Sequence, residues 1–191
     1  MKMIKLTATA MVSLALALSI TACDKQPIAP SDQGSQANEN TTLTGKIQYS
    51  LKNDGRQWKV VNKDDAQDQI KVVQYILVDE EPENVSELFT VTEMTDVNIT
   101  PSEYFSQFIT ELQKRYANAK VESKIINQKT NSLFGEWWID GVSPDNTQHE
   151  WIRIIKKGND IAVLRYSTMK VDQLEKNRNT WESILNDAKF Q

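Results

Sequence analysis

The sequence predicts an α+β domain, an antiparallel β-sheet with two helices packed on it, after a signal peptide and a flexible tether. Three observations predict it. Apolar residues run at period two in segments separated by short turns of Gly, Asn, Asp and Pro, the pattern of neighbouring antiparallel strands. A sharply marked helix start at Thr100 leads into an apolar stripe at helical spacing, and a second such stripe closes the chain. The expected division is a signal peptide over 1–22, an anchored linker over 23–44 and the folded domain over 45–191.

Taken in order, Lys2 and Lys5 make a basic head, and Leu6 to Ala22 is an apolar run interrupted by Thr7, Thr9, Ser13, Ser19 and Thr21. That is the layout of an export signal. It is marginal against the roughly 20 apolar residues that a spanning helix needs. Ile20-Thr21-Ala22-Cys23 resembles the bacterial lipobox, in which an aliphatic residue and two small ones precede a cysteine that is diacylated on sulfur before the preceding peptide is removed. The resemblance implies that Cys23 is a lipidated attachment point, not a nucleophile, and that acyl chains hold the protein to the membrane. Each buried acyl CH₂ contributes about 0.8 kcal/mol, and one chain holds only marginally, so several are needed for stable anchoring. The competing reading is an ordinary secretory signal that happens to end at the only cysteine of the chain. Asp24 resembles the residue that retains lipoproteins in the inner membrane of enteric bacteria. The expected location is therefore the outer leaflet of the inner membrane with the domain in the periplasm, and the outer membrane is the alternative.

Composition sets further bounds. The chain has 22 Lys and Arg against 26 Asp and Glu, a net charge of −4, and loss of Lys2 and Lys5 with the signal makes it more acidic. Nucleic-acid binding and a polybasic grip on anionic lipid both require clustered Lys and Arg, so neither is expected. With Cys23 acylated no cysteine is left for a disulfide, although the compartment permits them. The hydrophobic core must suffice alone, and the length suits one domain. Asp24 to Thr42 holds Pro27, Pro30 and Gly34 among small polar residues, too few apolar groups to offset ordering. As a coil it reaches about 25 Å.

Ile47, Tyr49 and Leu51, the Asn53-Asp54-Gly55 turn, and Trp58 and Val60 read as an opening hairpin, followed by a polar connection from Lys63 to Asp68. Ile70 to Val78 is apolar on both faces, as a central strand would be, and Leu88 to Met94 reads as its neighbour. Thr100-Pro101-Ser102-Glu103 supplies an N-cap hydroxyl, a proline at the first helical position and a glutamate to complete a capping box. Phe105, Phe108, Ile109, Leu112 and Tyr116 then fall on one stripe. Strands follow through Val121 to Ile126, Leu133 to Val142, His149 to Ile155 and Ile161 to Tyr166, with turns at Ser143 to Asn146 and at Gly158-Asn159-Asp160. Asp172 with Glu175 is placed to cap a final helix whose stripe is Leu174, Trp181, Ile184, Leu185 and Ala188.

This order, with Trp58, Asn84-Val85-Ser86, Ser102-Glu103-Tyr104-Phe105, Phe134-Gly135-Glu136-Trp137 and a terminal helix ending at Phe190, resembles the PsbP-like fold of DcrB-type bacterial envelope lipoproteins over roughly residues 45–190. The chain departs from the family at Ser132-Leu133-Phe134-Gly135, where members commonly carry a Leu-Asn-Gly-type turn. The resemblance implies an antiparallel sheet with helices packed on it, a binding or assembly role, no catalytic residues and no cofactor.

The residues themselves offer little chemistry. His149 is the single histidine, and without a second His or a Cys near it there is no zinc signature, nor a nucleophile at a known spacing. Asp64, Asp65 and Asp68, like the run from Asp79 to Glu83, lack the spaced pattern of a calcium loop and read as solvated turns. The glycines form no phosphate-binding loop. Trp137 and Trp138, adjacent on one strand, must point to opposite faces. If Ser143 to Asn146 is the turn of a hairpin, one of them comes near Trp151. The other Trp then lies either under a helix, the commoner way to fill a sheet–helix interface, or, if the two helices cover one face and part of the second stays open, in an exposed patch edged by Arg153, a composition typical of an interface hot spot. Trp137, Trp138, Trp151 and Arg153 are thus the candidate partner-binding residues. The expected function is a lipid-anchored, non-catalytic interaction or assembly module with a periplasmic or membrane protein partner. A small-ligand-binding lipoprotein ranks second and an enzyme third.

Overall fold

The computed structural model describes residues 42–67, 69–140 and 147–191. The strands are β1 (Thr42–Thr44), β2 (Ile47–Tyr49), β3 (Trp58–Gln67), β4 (Ile70–Leu77), β5 (Glu87–Met94), β6 (Lys120–Lys129), β7 (Ser132–Asp140), β8 (Gln148–Lys157), β9 (Asp160–Thr168) and β10 (Lys189–Phe190). Helix α1 is Pro101–Arg115 and α2 is Leu174–Asp187. Seven strands form one antiparallel sheet in the order β3-β4-β5-β9-β8-β7-β6, and β1-β2-β10 form a second, small sheet. The α+β class, with a large antiparallel sheet and two helices on it, is as the sequence predicts.

The two helices lie on opposite faces, not on one. Along β9, Ile161 and Val163 belong to the cluster under α1, while Ala162, Leu164 and Tyr166 belong to the cluster under α2. The register carries this alternation across the sheet: Tyr166 lies opposite Phe89 of β5 and Trp151 of β8, and both are in the α2 cluster. Two apolar faces need two covers. The sheet therefore buries side chains on both sides, and near-continuous apolar strands such as β9 result.

The expected opening hairpin does not form. After Tyr49 the chain turns through a short 3₁₀ segment, Lys52–Asp54, closed by Gly55 at φ 73°, and β2 and β3 then part into different sheets. β2 pairs instead with β1 and with β10, and β3 pairs with β4. The reason is burial: Ile47 and Tyr49 are needed on the α2 side, where Tyr49 packs on Phe89 at 5.5 Å and its hydroxyl meets that of Tyr75 at 2.7 Å. Glu93 fastens this lid by accepting from the backbone amides of Lys46 and Ile47, each at 3.0 Å. Gly45, at φ 72°, makes that approach possible, since a Cβ there would sit 2.6 Å from the Glu93 carboxylate.

Other boundaries shift. Lys63 to Gln67, expected as a connection, continues β3, and Thr42–Thr44, expected as linker, is β1. The capping box at Thr100 is present in both directions. The expected cap by Asp172 is absent: a 3₁₀ turn over Val171–Gln173 precedes α2, whose N-cap, Gln173, makes no side-chain cap bond. The Ser143 to Asn146 turn, Asp68, Asp24 and Cys23 lie outside the described residues. Where α1 crosses the sheet, Gly135 has no side chain to obstruct it, and a Cβ there would come within 3.2 Å of the Phe105 ring.

Candidate functional site

The strands β7, β8 and β9 place the candidate residues in two rows. Trp137 lies opposite Glu150, and Glu150 opposite Ser167, all on the α1 face. Trp138 lies opposite His149, and His149 opposite Thr168, on the α2 face. Trp137 and Trp138 thus point to opposite faces as strand geometry requires.

Trp137 is 2% exposed, edge-on to Phe108 of α1 at 6.2 Å, and its Nε1 donates to Glu150 Oε1 at 2.9 Å. Trp151 is fully buried, stacked on Tyr166 at 5.8 Å with the rings 7° from parallel. Neither ring lies in an open patch, because each sheet face has its own helix. Trp138 is half-buried and stacks on His149 at 5.8 Å, 6° from parallel. It shares a face with Trp151, as a hairpin would require, but the His149 ring stands between them, 4.5 Å from Trp151. Arg153 is half-buried farther along β8. Of the four candidates, Trp138 and Arg153 keep access to solvent.

The sequence reading missed the residues that surround this row. Glu136, 4% exposed, accepts from Arg178 Nη1 of α2 at 3.0 Å through Oε2, and His149 Nε2 lies 3.1 Å from the same oxygen. The Arg178 guanidinium also sits over the Trp151 ring at 5.5 Å. Burial pulls the His149 pKa down, and the Arg178 charge adds to this, outweighing the Glu136 carboxylate that pulls it up. The imidazole is therefore neutral at pH 7, with Nε2–H donating to Glu136. On the opposite face Glu150 accepts from Trp137 and from the Ser167 hydroxyl, and Arg165 Nε lies 3.2 Å away. A signal for these residues exists in the sequence: Glu136, Glu150 and Arg165 are charges inside otherwise apolar strands, where an unpaired charge would be costly.

A histidine oriented by a carboxylate is half of an acid–base device, which needs a nucleophile or a substrate proton within reach. Among the described residues no hydroxyl is hydrogen-bonded to His149, whose partner is Glu136. Thr168 Oγ1 accepts from the Lys170 amide at 3.0 Å, and Ser167 is on the far face with Glu150. Among the described residues no group of three or more His, Cys, Asp or Glu is placed to hold a metal ion. A cleft of about 560 Å³ opens between the start of α1, at Thr100, Pro101 and Ser102, and the β6–β7 turn, at Gln128, Lys129 and Thr130. The capping box already spends Thr100 and Glu103 on the free amides there.

These features define a class: a two-faced antiparallel sheet domain in which the buried carboxylates of Glu87, Glu136 and Glu150 are each paired with an arginine. A protein-family model matches residues 45–180, more than two thirds of the chain, and the chain belongs to that family. No curated protein matches it. Among solved structures it is similar to the solution structure of cyanobacterial PsbP (CyanoP) from Synechocystis sp. PCC 6803, at 12% identity and a TM-score of 0.49, over 81% of this chain and 99% of that one.

Proposed function

We propose that the protein is a lipid-anchored bacterial envelope lipoprotein of the DcrB type, whose domain acts as a non-catalytic interaction or assembly module on the periplasmic side of the membrane. The observation that carries the non-catalytic part is the use made of the buried ionisable groups. Glu136 is shared between His149 and Arg178, and Glu87 among Arg56, Lys170 and Tyr166, so these groups tie elements together instead of converging on a substrate. The anchor rests on Ile20-Thr21-Ala22-Cys23, and inner-membrane retention on Asp24. Among the described residues no helix is long and apolar enough to cross a membrane. In this reading acyl chains on Cys23 hold the protein to the membrane. Mature protein should then label with palmitate and partition into detergent, and Cys23→Ser should remain unprocessed. A cleaved, unlabelled Cys23→Ser protein in the soluble periplasm would overturn the anchor.

The partner surface in this reading is centred on Trp138, the one candidate tryptophan with solvent access. Crosslinking pull-down of the lipidated protein from its envelope should recover a stoichiometric partner, and Trp138→Ala should abolish recovery. The same substitution should shift the melting temperature by only a few degrees, because a ring that keeps solvent access at the edge of the core contributes less to folding than a fully buried one. A large drop in melting temperature would make Trp138 a core residue, and retained partner binding would place the interface elsewhere.

A further inference from the structure

Arg153 differs from every other arginine of the chain. Arg56 pairs with Asp54 and Glu87, Arg165 with Glu150 and Arg178 with Glu136, and Arg115 is also engaged. Arg153 has no hydrogen bond, ion pair or ring partner among the described residues. Its Nε is enclosed and lacks an acceptor, while the residue as a whole stays partly exposed, which leaves the outer end of the guanidinium open. Its cross-strand neighbours are Phe134 of β7 and Leu164 of β9, both buried, and Trp151 and Ile155 flank it two residues away along β8. Burial lowers its pKa, and no neighbouring carboxylate raises it.

A guanidinium stays charged under all ordinary conditions, so a desolvated one without a counter-ion costs stability that an arriving anion would restore. We propose that Arg153 is an anion receptor that takes a single carboxylate group end-on through its two terminal nitrogens. A carboxylate fits better than a phosphate. One guanidinium fork matches the two oxygens of a monoanion, and among the described residues no second cation influences Arg153 to help balance a dianion. The apolar collar of Phe134 and Leu164 favours a carboxylate that arrives on an apolar stem. The group has two possible sources, a small carboxylic acid and the carboxylate of a protein partner. The second case deepens the interaction-module reading and rests on it, whereas the first does not.

The test uses the full processed chain in detergent micelles and follows the Arg153 Nε–Hε NMR resonance, assigned by its loss in Arg153→Met. Acetate, methyl phosphate and chloride are titrated at constant ionic strength, together with a short apolar peptide carrying either a free or an amidated C-terminus. The expected result is a saturable shift with acetate and with the free-acid peptide, none with the amide, and a smaller one with methyl phosphate. Tighter binding of the peptide would point to a protein source, and equal binding of acetate to a small acid. Shifts that are absent, or alike for chloride and acetate, would overturn the proposal. As a second readout, carboxylates should raise the melting temperature of the native protein and leave that of Arg153→Met unchanged. An equal rise in both would also overturn it. Loss of acetate binding alongside successful partner recovery would sink the Arg153 receptor alone, and the reverse outcome would sink the module.

Discussion

Trp181→Ala is expected to lower the stability of the domain by about 4 kcal/mol, among the largest effects of any single truncation. The ring is fully buried and is the piece of α2 that meets three strands at once. It stacks on Tyr166 of β9 at 3.8 Å, 6° from parallel, and touches Trp58 of β3 and Phe89 of β5, each at 5.5 Å. Removing it opens a cavity and also forfeits aromatic pairs worth about 0.5–1.5 kcal/mol each beyond their buried area. For a domain of this size that corresponds to a fall in melting temperature of roughly 10 °C. Trp181→Phe should cost far less, roughly 1–2 kcal/mol, because the indole Nε1 is enclosed with no acceptor and its loss breaks no hydrogen bond. Urea unfolding of the two variants measures both. A loss below 1 kcal/mol for the alanine variant, or equal losses for the two, would mean that α2 is held by something other than this ring.

What the sequence made legible divides along range. The capping box at Thr100 and Glu103 is a contact between residues three apart, written in adjacent letters, and α1 begins where those letters put it. The tight turn at Gly158, φ 62°, likewise joins β8 to β9 as read. The segment from Tyr49 to Trp58 looks like a hairpin by the same local criteria, yet fails as one. The competing pairing, β2 with β10, joins residues from the two ends of the domain, Gln48 with Lys189, and no local pattern announces it. The faces of the helices are of the same kind. Period and composition establish that Trp137 and Trp138 oppose each other, but which one lies under α1 depends on where the crossover lands. Glu136, His149 and Arg178 come from β7, β8 and α2, and only the fold brings them together. Their sequence signal was a negative one, a charge inside an apolar strand that must find a partner somewhere.

Glu87→Gln is expected to destabilise the domain by about 2 kcal/mol at neutral pH and, more tellingly, to remove one part of its acid sensitivity. Glu87 is fully buried at the start of β5. Its Oε1 accepts from Arg56 Nη1 at 2.7 Å and from Lys170 Nζ at 2.9 Å, and its Oε2 accepts from the Tyr166 hydroxyl. Tyr166 in turn accepts from Asn177 Nδ2 of α2 at 3.2 Å, so one carboxylate links the loop before β3, β5, β9 and α2. Burial alone would raise its pKa, but the hydrogen bonds from Arg56, Tyr166 and Lys170 outweigh this and hold it at about 2, against 4.5 for a free glutamate. A carboxyl depressed in the folded state stabilises the fold above its unfolded pKa, and this contribution is lost as pH falls from about 5 to about 2. Arg56 is one-third exposed, so solvent screening trims the contribution to about 2 kcal/mol. His149 acts in a separate window. Its pKa is also depressed in the fold, so the unfolded chain takes up the proton first, and stability begins to fall as pH drops below about 6.5. Urea midpoints measured against pH should therefore show two falls in the native protein, and Glu87→Gln should keep the upper one while flattening the lower. A Glu87→Gln profile parallel to that of the native protein below pH 5 would show that the acid sensitivity there comes from other carboxylates, and that the Arg56 and Lys170 pairs stabilise little.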